Sequence, residues 1–223
     1  MSSHTYQHQD LKTQVINLPV GKVVCVGRNY MAHIQELNNA VPEQALLFIK
    51  PSTALCSLSA PLFIPKDHGS CHHEVEIGVL LQQGLTKASP KQAQEAIWGY
   101  GLALDLTLRD LQDELKSKGH PWERAKAFDG SCPMSGFVPA ADVPAPGKLE
   151  FSLQVNGHPR QQGCSGSMMR DVISLLVEIS QTFTLLPGDI VLTGTPEGVA
   201  ELKKNDKLSL SLAGYFLLNT EVV

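Results

Sequence analysis

The segment HHEVEIGVL, at positions 72–80, places Glu74 and Glu76 two positions apart in a run that is typical of a β-strand. Side chains alternate between the two faces of a strand, so both carboxylates point to one side and the neighbouring valine and isoleucine to the other. Two interpretations fit. The commoner one is a solvated outer face over a packed inner face. The other is a cation bound between the carboxylates, and further residues have to decide.

A third carboxylate interrupts another apolar run. Asp105 lies in GLALDL, at positions 101–106. Burying a lone carboxylate costs several kcal/mol unless it is paired or binds a metal. The alternative role for Asp105 is to cap the helix that follows. We favour the metal role, because Glu74 and Glu76 present the same problem on their own strand.

The kind of metal follows from the ligand atoms. A site of three carboxylates is rich in oxygen, which suits magnesium, manganese or calcium. Cys71, His72 and His73 are adjacent and suggest zinc, but neighbouring side chains on a strand face opposite ways. The sequence also contains no second Cys/His pair with the spacing of a zinc site. We therefore expect a hard divalent cation.

A histidine and a glutamate three positions apart form a second candidate for chemistry. On a helical turn His33 and Glu36 share a face and can touch. A carboxylate fixes the tautomer of a neighbouring histidine and raises its basicity, so the pair could take a proton from water. A surface salt bridge fits the same spacing, and the spacing alone favours it.

Composition excludes several classes of protein. The chain has 223 residues, 43% of them hydrophobic, with 18 basic and 22 acidic residues and no basic patch, which argues against nucleic-acid binding. No apolar run approaches the ~20 residues needed to span a membrane. The five cysteines are scattered and never form a CxxC pair. We interpret them as reduced thiols, which predicts a cytoplasmic protein without membrane partners.

The elements that must position these residues are short and divided by many glycines and prolines. Apolar runs predict strands at 22–26, 45–49, 73–81, 99–106, 149–155 and 189–193. Helices are predicted at 30–37, 90–97 and 171–182, and a further helix is predicted to follow an N-cap at Thr107 and to end near 118. Asn156-Gly157 indicates a hairpin turn. Strands dominate without a βαβ rhythm, which predicts an α+β fold with a large mixed sheet.

Six segments, in this order along the chain, resemble motifs of the fumarylacetoacetate hydrolase family: VGRNYMAHIQEL, LFIKPSTAL, HHEVEIGVLL, GYGLALDLTLRDLQ, PWERAKAFDGSCPMSGFVP and PGDIVLTGTPEGV. The resemblance is greatest to the short, single-domain, acylpyruvase-like branch and extends from about Val20 onward. It implies a strand-rich mixed β-roll that pairs as a homodimer. It also implies a single catalytic domain at 19–223, preceded by an N-terminal segment at 1–18 that carries no signal.

The resemblance also assigns roles to residues of this sequence. The implied metal ligands, for Mg²⁺ or alternatively Mn²⁺ or Ca²⁺, are Glu74, Glu76 and Asp105. The implied catalytic residues are His33, Glu36 and Lys126. The implied substrate-binding residues are Arg28, Lys50, Arg109, Gln112 and Thr195. We expect the substrate to be a small 2-oxo acid.

The expected reaction is hydrolysis of the carbon–carbon bond of an acylpyruvate. His33, oriented by Glu36, would activate a water that attacks the C4 carbonyl, and the metal would stabilise the pyruvate enolate that leaves. Lys50 or Gln112 could steady the developing oxyanion. Decarboxylation or keto–enol tautomerisation of oxaloacetate would use the same site. A non-catalytic protein that binds a 2-oxo acid is the alternative from another class, but a pure binder would need no general base.

Overall fold

The structure is a computed structural model that describes residues 6–223. Its strands, in chain order, are β1 (Val23–Gly27), β2 (Leu46–Lys50), β3 (Leu55–Ser57), β4 (Cys71–His73), β5 (Val75–Leu81), β6 (Ile97–Leu104), β7 (Thr107–Leu108), β8 (Cys132–Met134), β9 (Val138–Pro139), β10 (Glu150–Val155), β11 (His158–Cys164), β12 (Ile190–Leu192), β13 (Ala200–Glu201), β14 (Lys207–Leu212) and β15 (Phe216–Glu221). Its α-helices are α1 (Met31–Glu36), α2 (Pro90–Glu95), α3 (Arg109–Ser117), α4 (Glu123–Lys126) and α5 (Val172–Thr182).

Three sheets organise these strands. The largest has the order β2-β1-β12-β5-β6-β8-β3, with β9 also paired to β6. It is mixed, because β1 and β12 run parallel, as do β3 and β8, while the other pairs are antiparallel. A four-stranded sheet has the order β11-β10-β14-β15, and a small sheet joins β13, β4 and β7. The predicted strand-rich α+β roll is confirmed.

The two strands at the centre of the large sheet are buried on both faces. Every residue of β5 is buried, and β6 is buried except at one position. Both strands therefore read as nearly continuous apolar runs rather than as alternating patterns. A polar side chain at their ends is enclosed by the protein and must find a partner there.

Local sequence signals explain several boundaries. Asn156 and Gly157 have positive φ angles of 54° and 77°, as a two-residue hairpin turn of the favoured type requires, and they join β10 to β11 as predicted. Asp171 caps α5, accepting a hydrogen bond from the amide of Ser174 at 2.8 Å.

The predicted N-cap at Thr107 is wrong. Thr107 and Leu108 form the short strand β7, and α3 begins at Arg109 without a side-chain cap. The Thr107 hydroxyl is used elsewhere. It donates to the backbone oxygen of Asp105 at 3.0 Å and accepts from the ammonium of Lys126 at 2.7 Å. The threonine that resembles a cap therefore serves the polar cluster around Asp105.

The N-terminal segment packs on the rest of the chain where the structure describes it. Its first five residues lie outside the described residues. His8 is fully buried, and its Nε2 lies 3.0 Å from the backbone oxygen of Gly188. Asp10 forms a parallel bridge with Phe137. Residues 6–18 thus contact the domain closely, and among residues 6–223 the helices are too short or too polar to cross a membrane.

Candidate functional site

Three carboxylates converge where the strands of two sheets meet. Oxygen atoms of Glu74, Glu76 and Asp105 all lie within 4.8 Å of one another. Glu74 is 5% exposed, Glu76 2% and Asp105 1%. A solvated outer face is therefore excluded. The three residues form a group that could bind a divalent metal ion, as the oxygen-rich pattern predicts.

The register of the central strands explains this convergence. Val75 pairs with Leu104 and Glu76 with Ala103 in the antiparallel ladder of β5 and β6. Asp105 is two positions beyond Ala103 and so follows the same face toward Glu76. The amide of Asp105 also donates to the backbone oxygen of Glu74 at 2.8 Å.

The prediction of one continuous strand at 73–81 is wrong at Glu74. The chain leaves the small sheet after β4 and enters the large sheet at β5, so Glu74 lies between two strands. Its carboxylate still reaches the same point as that of Glu76. Period-two spacing therefore brings the pair together, but the pair spans a junction between sheets rather than one strand face.

The surrounding cations compensate the carboxylates unequally. Lys126 Nζ donates to Glu74 Oε2 at 2.8 Å and to Asp105 Oδ2 at 2.7 Å, and Arg109 donates to the other oxygen of Glu74. Burial acts to raise the pKa of Glu74, but attraction to Lys126 and Arg109 outweighs it and holds that pKa far below its usual range. Glu74 is therefore ionised.

Among residues 6–223, Glu76 has no cation paired with it. Its Oε2 accepts a hydrogen bond from the amide of Gly194 at 2.6 Å. Burial raises its pKa well above the ordinary value, and repulsion from Asp105 and Glu74 adds to that. Asp105 Oδ1 lies 2.8 Å from Lys50 Nζ but makes no well-aligned hydrogen bond with any described residue. Each of these two oxygens has one close partner among the described residues, so a second lone pair on each can face a cation.

Lys126 and Lys50 are buried next to these carboxylates. The ammonium of Lys126 uses its three N–H groups on Glu74, Asp105 and Thr107. Burial lowers the pKa of Lys126, but the attraction of Asp105 and Glu74 is stronger and leaves it raised. Lys50 is fully buried, and its Nζ lies 3.1 Å from the backbone oxygen and 3.1 Å from the hydroxyl oxygen of Ser131. Both lysines therefore support the carboxylates.

The His33–Glu36 pair forms as the spacing predicts. His33 Nδ1 donates to Glu36 Oε2 at 3.1 Å, and Glu36 Oε1 accepts from the amide of Gly198 at 2.9 Å. His33 is only 5% exposed, so the pair is not a surface salt bridge. Because Glu36 engages Nδ1, Nε2 is the ring nitrogen left to exchange a proton.

One small cavity joins the carboxylates to this histidine. Its volume is about 40 Å³. The predicted site residues that line it are Arg28, His33, Glu74, Glu76, Asp105, Lys126 and Thr195. Four others lie behind this lining: Glu36 contacts His33, Lys50 contacts Asp105, Arg109 contacts Glu74, and Gln112 accepts from Arg109 at 2.6 Å. Substrate contacts by Lys50, Arg109 and Gln112 remain predictions.

The cavity also has walls that the sequence did not indicate. Asn39, Phe48, Lys116 and Trp122 contribute to them. Arg28 has a positive φ of 59° and donates to Asn39 Oδ1 at 2.8 Å, which fixes its guanidinium near the cavity. A positive φ is unfavourable for arginine, and such backbone conformations concentrate at functional sites. In the sequence, the glycine that precedes Arg28 in GRN (positions 27–29) is the feature that indicates an unusual backbone conformation here.

Gln161 is a buried residue that sequence reasoning missed. Its Oε1 accepts from the amide of Val75 at 3.0 Å and from His73 Nδ1 at 2.9 Å. Its Nε2 donates to Thr195 Oγ1 at 2.8 Å. The side-chain amide thus joins the segment that carries Glu74 and Glu76 to the loop that carries Thr195. Nothing in the sequence pattern of β11 distinguishes it from the neighbouring Gln162.

Comparisons with known proteins agree on one family. The family model described as fumarylacetoacetate (FAA) hydrolase C-terminal matches residues 22–223. An oxaloacetate tautomerase of Escherichia coli (strain K12) is 52% identical over 213 residues, which cover 95% of this chain and 97% of that protein. A crystal structure of fumarylpyruvate hydrolase from Pseudomonas aeruginosa, in complex with Mn²⁺ and pyruvate, is 34% identical. It matches with a TM-score of 0.92 over 100% of this chain and 98% of that one.

Proposed function

The chain belongs to the fumarylacetoacetate hydrolase family, and from that premise we propose that it is a divalent-metal-dependent oxaloacetate tautomerase. One observation carries this proposal: a buried trio of carboxylates and a buried histidine with a carboxylate partner line the same cavity. The similarity to an oxaloacetate tautomerase along nearly the whole chain favours tautomerisation, which the sequence alone ranked below acylpyruvate hydrolysis.

The residues fit a metal. Glu76 is buried with a single backbone N–H partner among the described residues, and Asp105 Oδ1 is free of aligned hydrogen bonds there. Glu74, Glu76 and Asp105 would hold the ion, which we infer to be Mg²⁺ or Mn²⁺. When bound, it supplies Lewis-acid stabilisation of the negative charge that develops on the 2-oxo group of the substrate.

Proton transfer is the task of His33. In the keto form of oxaloacetate a C3–H bond breaks and its electron pair forms the C2–C3 double bond. The π pair of the C2 carbonyl moves onto its oxygen, and that oxygen takes a proton from the protonated His33. His33 takes the C3 proton, and Glu36 holds the imidazole in the required tautomer and stabilises its protonated form. The reverse reaction returns the proton to C3. Neither direction needs water in the site.

Substrate placement falls to residues at the edges of the cavity. The Arg28 guanidinium could bind the C1 carboxylate of the 2-oxo acid. Thr195 lines the cavity, donates from Oγ1 to the backbone oxygen of Val75 at 2.8 Å and accepts from Gln161. It holds the backbone beside Glu74 and Glu76. Lys126 pairs with Glu74 and Asp105 and holds these two carboxylates side by side at the cation site.

Acylpyruvate hydrolysis is the second candidate. The similarity to a fumarylpyruvate hydrolase favours it, and so does the His33–Glu36 pair, which suits the activation of water. His33 would take a proton from water as the oxygen attacks C4. The C3–C4 bond then breaks, its electron pair leaves as pyruvate enolate, and C3 later gains a proton. The products are pyruvate and a carboxylic acid.

We also propose a homodimer and a cytoplasmic location. Phe63 is 76% exposed and Leu217 67%, and both line a wide groove of about 920 Å³ together with part of the N-terminal segment. A face of this kind suits a second copy. All five cysteines are free thiols, which suits a reducing compartment. We keep residues 19–223 as the catalytic domain and 1–18 as its appended segment. A monomer mass by light scattering at micromolar concentration would refute the dimer.

A substrate panel tests the proposed reaction. The purified protein is assayed with Mg²⁺, with Mn²⁺ and after removal of metal by a chelator. The substrates are enol-oxaloacetate, acetylpyruvate and fumarylpyruvate. We expect metal-dependent conversion of the oxaloacetate enol, followed by ultraviolet absorbance, to exceed cleavage of the other two acids. Faster cleavage of an acylpyruvate would favour the second candidate, and no activity on any of them would refute both.

A further inference from the structure

Two aromatic rings form one wall of the site, and an ammonium group lies against each. The ring centroids of Phe48 and Trp122 are 5.9 Å apart. Lys126 Nζ is 5.1 Å from the centroid of Phe48, and Lys116 Nζ is 5.4 Å from the ring of Trp122. All four residues line the cavity. The wall therefore carries two cations.

The two ammonium groups differ in how far nearby carboxylates neutralise their charge. Lys126 is hydrogen-bonded to two buried carboxylates. Lys116 faces Asp113 across 3.7 Å from Nζ to Oδ1, which is too long for a hydrogen bond, and Asp113 is 65% exposed. A pair of this kind is worth little, because water screens it. The Lys116 side chain is nevertheless only 26% exposed.

The environment of Lys116 is also unfavourable for a positive charge. Burial lowers its pKa, and repulsion from Arg109, Arg28 and Lys126 acts in the same direction against the single attraction of Asp113. Arg28 shares the cavity and donates to uncharged oxygens, those of Asn39 and Ala40. The cavity thus has two cations, Lys116 and Arg28, that its own carboxylates do not neutralise.

We propose that Lys116 is a specificity-determining residue that binds the second carboxylate of a dicarboxylic 2-oxo acid, next to Arg28. This inference rests on the proposed function, in which the other end of the acid meets the metal and His33. Lysine presents a compact charge on a flexible stem, so it can follow carboxylates at different distances from the 2-oxo group. A monocarboxylic 2-oxo acid would leave Lys116 without a partner.

Binding of two unreactive acids of equal length tests this role without requiring turnover. 2-Oxoglutarate and 2-oxopentanoate share a five-carbon chain and differ in the terminal carboxylate. Calorimetry with Mg²⁺ should show tighter binding of 2-oxoglutarate to the wild type. The Lys116→Met variant should bind 2-oxoglutarate about tenfold more weakly, the scale of a lost charge-assisted hydrogen bond, and bind 2-oxopentanoate unchanged. Lys116→Arg should restore part of the difference.

A neighbouring lysine supplies the matched control. Lys118 follows α3, is 53% exposed and pairs with Glu114 at 2.6 Å, away from the cavity lining. Lys118→Met should leave both affinities as in the wild type, and melting curves should show that every variant is folded. Equal weakening of both acids in Lys116→Met would overturn the proposal, and so would a wild type that does not prefer 2-oxoglutarate. Failure of the proposed reaction would appear separately, as absent turnover with intact binding.

Discussion

The inner and outer halves of the site are built in different ways. The inner half comprises Glu74, Glu76 and Asp105 with the lysines behind them. Every member is at most 5% exposed. The carboxylates and Lys50 lie on or next to strands, and Lys126 lies at the end of α4. The outer half consists of the His33–Glu36 pair and Lys116, which lie on the short helix α1 and near the end of α3. The side chain of Glu36 is 31% exposed and that of Lys116 26%.

This difference separates two properties that one active site needs. The inner half concentrates charge, and sheet register fixes where that charge lies. Its capacity to bind a cation is therefore coupled to the stability of the fold. The outer half moves protons and recognises the substrate, and it rests on elements with few partners. Changes there should alter the reaction or its specificity while the fold and the cation site remain intact.

Removal of an inner carboxylate should have the largest effect. Asp105→Ala leaves the buried ammonium group of Lys50 without its acidic partner and leaves Lys126 with Glu74 alone. Loss of one partner of a buried ion pair costs about 3–5 kcal/mol, so we expect a lower melting temperature and loss of activity on every substrate. Asp142→Ala, at an exposed position, is the control and should behave as the wild type. An Asp105→Ala variant with normal melting and activity would show that the halves do not differ.

Substitutions in the inner half should weaken cation binding, and substitutions in the outer half should leave it unchanged. At a Mn²⁺ concentration of a hundred times the dissociation constant, bound metal stabilises a protein by about 2.7 kcal/mol. The wild type and His33→Ala should both show this rise in thermal stability. Glu76→Gln should not, because Glu76 supplies a carboxylate with no ionic partner. An equal rise in Glu76→Gln would place the cation elsewhere.

Loss of the base should affect the reaction and spare the fold. His33→Ala should depress tautomerisation and acylpyruvate hydrolysis by ~10²-fold or more, the usual scale for general-base catalysis. Oxaloacetate decarboxylation needs neither an attacking water nor a base, so it should fall much less. Steady-state rates on the three reactions, with melting curves alongside, measure the difference. Equal losses in all three would contradict a proton-transfer role.

The smallest effect should come from the partner of the base. Glu36→Gln keeps a group that can accept from His33 Nδ1 but removes the charge that stabilises the protonated ring. We expect the same direction as His33→Ala with a loss of about tenfold. A loss as large as that of His33→Ala, in a folded protein, would indicate that Glu36 itself transfers the proton.

The same division explains what the sequence could predict. Glu74, Glu76 and Asp105 interrupt apolar runs, so their burial and convergence follow from periodicity and the cost of isolated charge. Sequence order does not reveal which strands adjoin, so the break at Glu74 and the role of Thr107 beside Lys126 were missed. Lys116 and Gln161 were missed because each lies among similar polar residues, and only the fold shows which one faces inward.

The most direct test combines both halves in one rate measurement. Conversion of enol-oxaloacetate is followed for the wild type with Mg²⁺, for the wild type in excess chelator, and for His33→Ala with Mg²⁺ once its thermal shift shows bound metal. The account predicts rapid conversion in the first case and a loss of ~10²-fold or more in each of the others. Full activity in chelator, or in a metal-loaded His33→Ala variant, would contradict it.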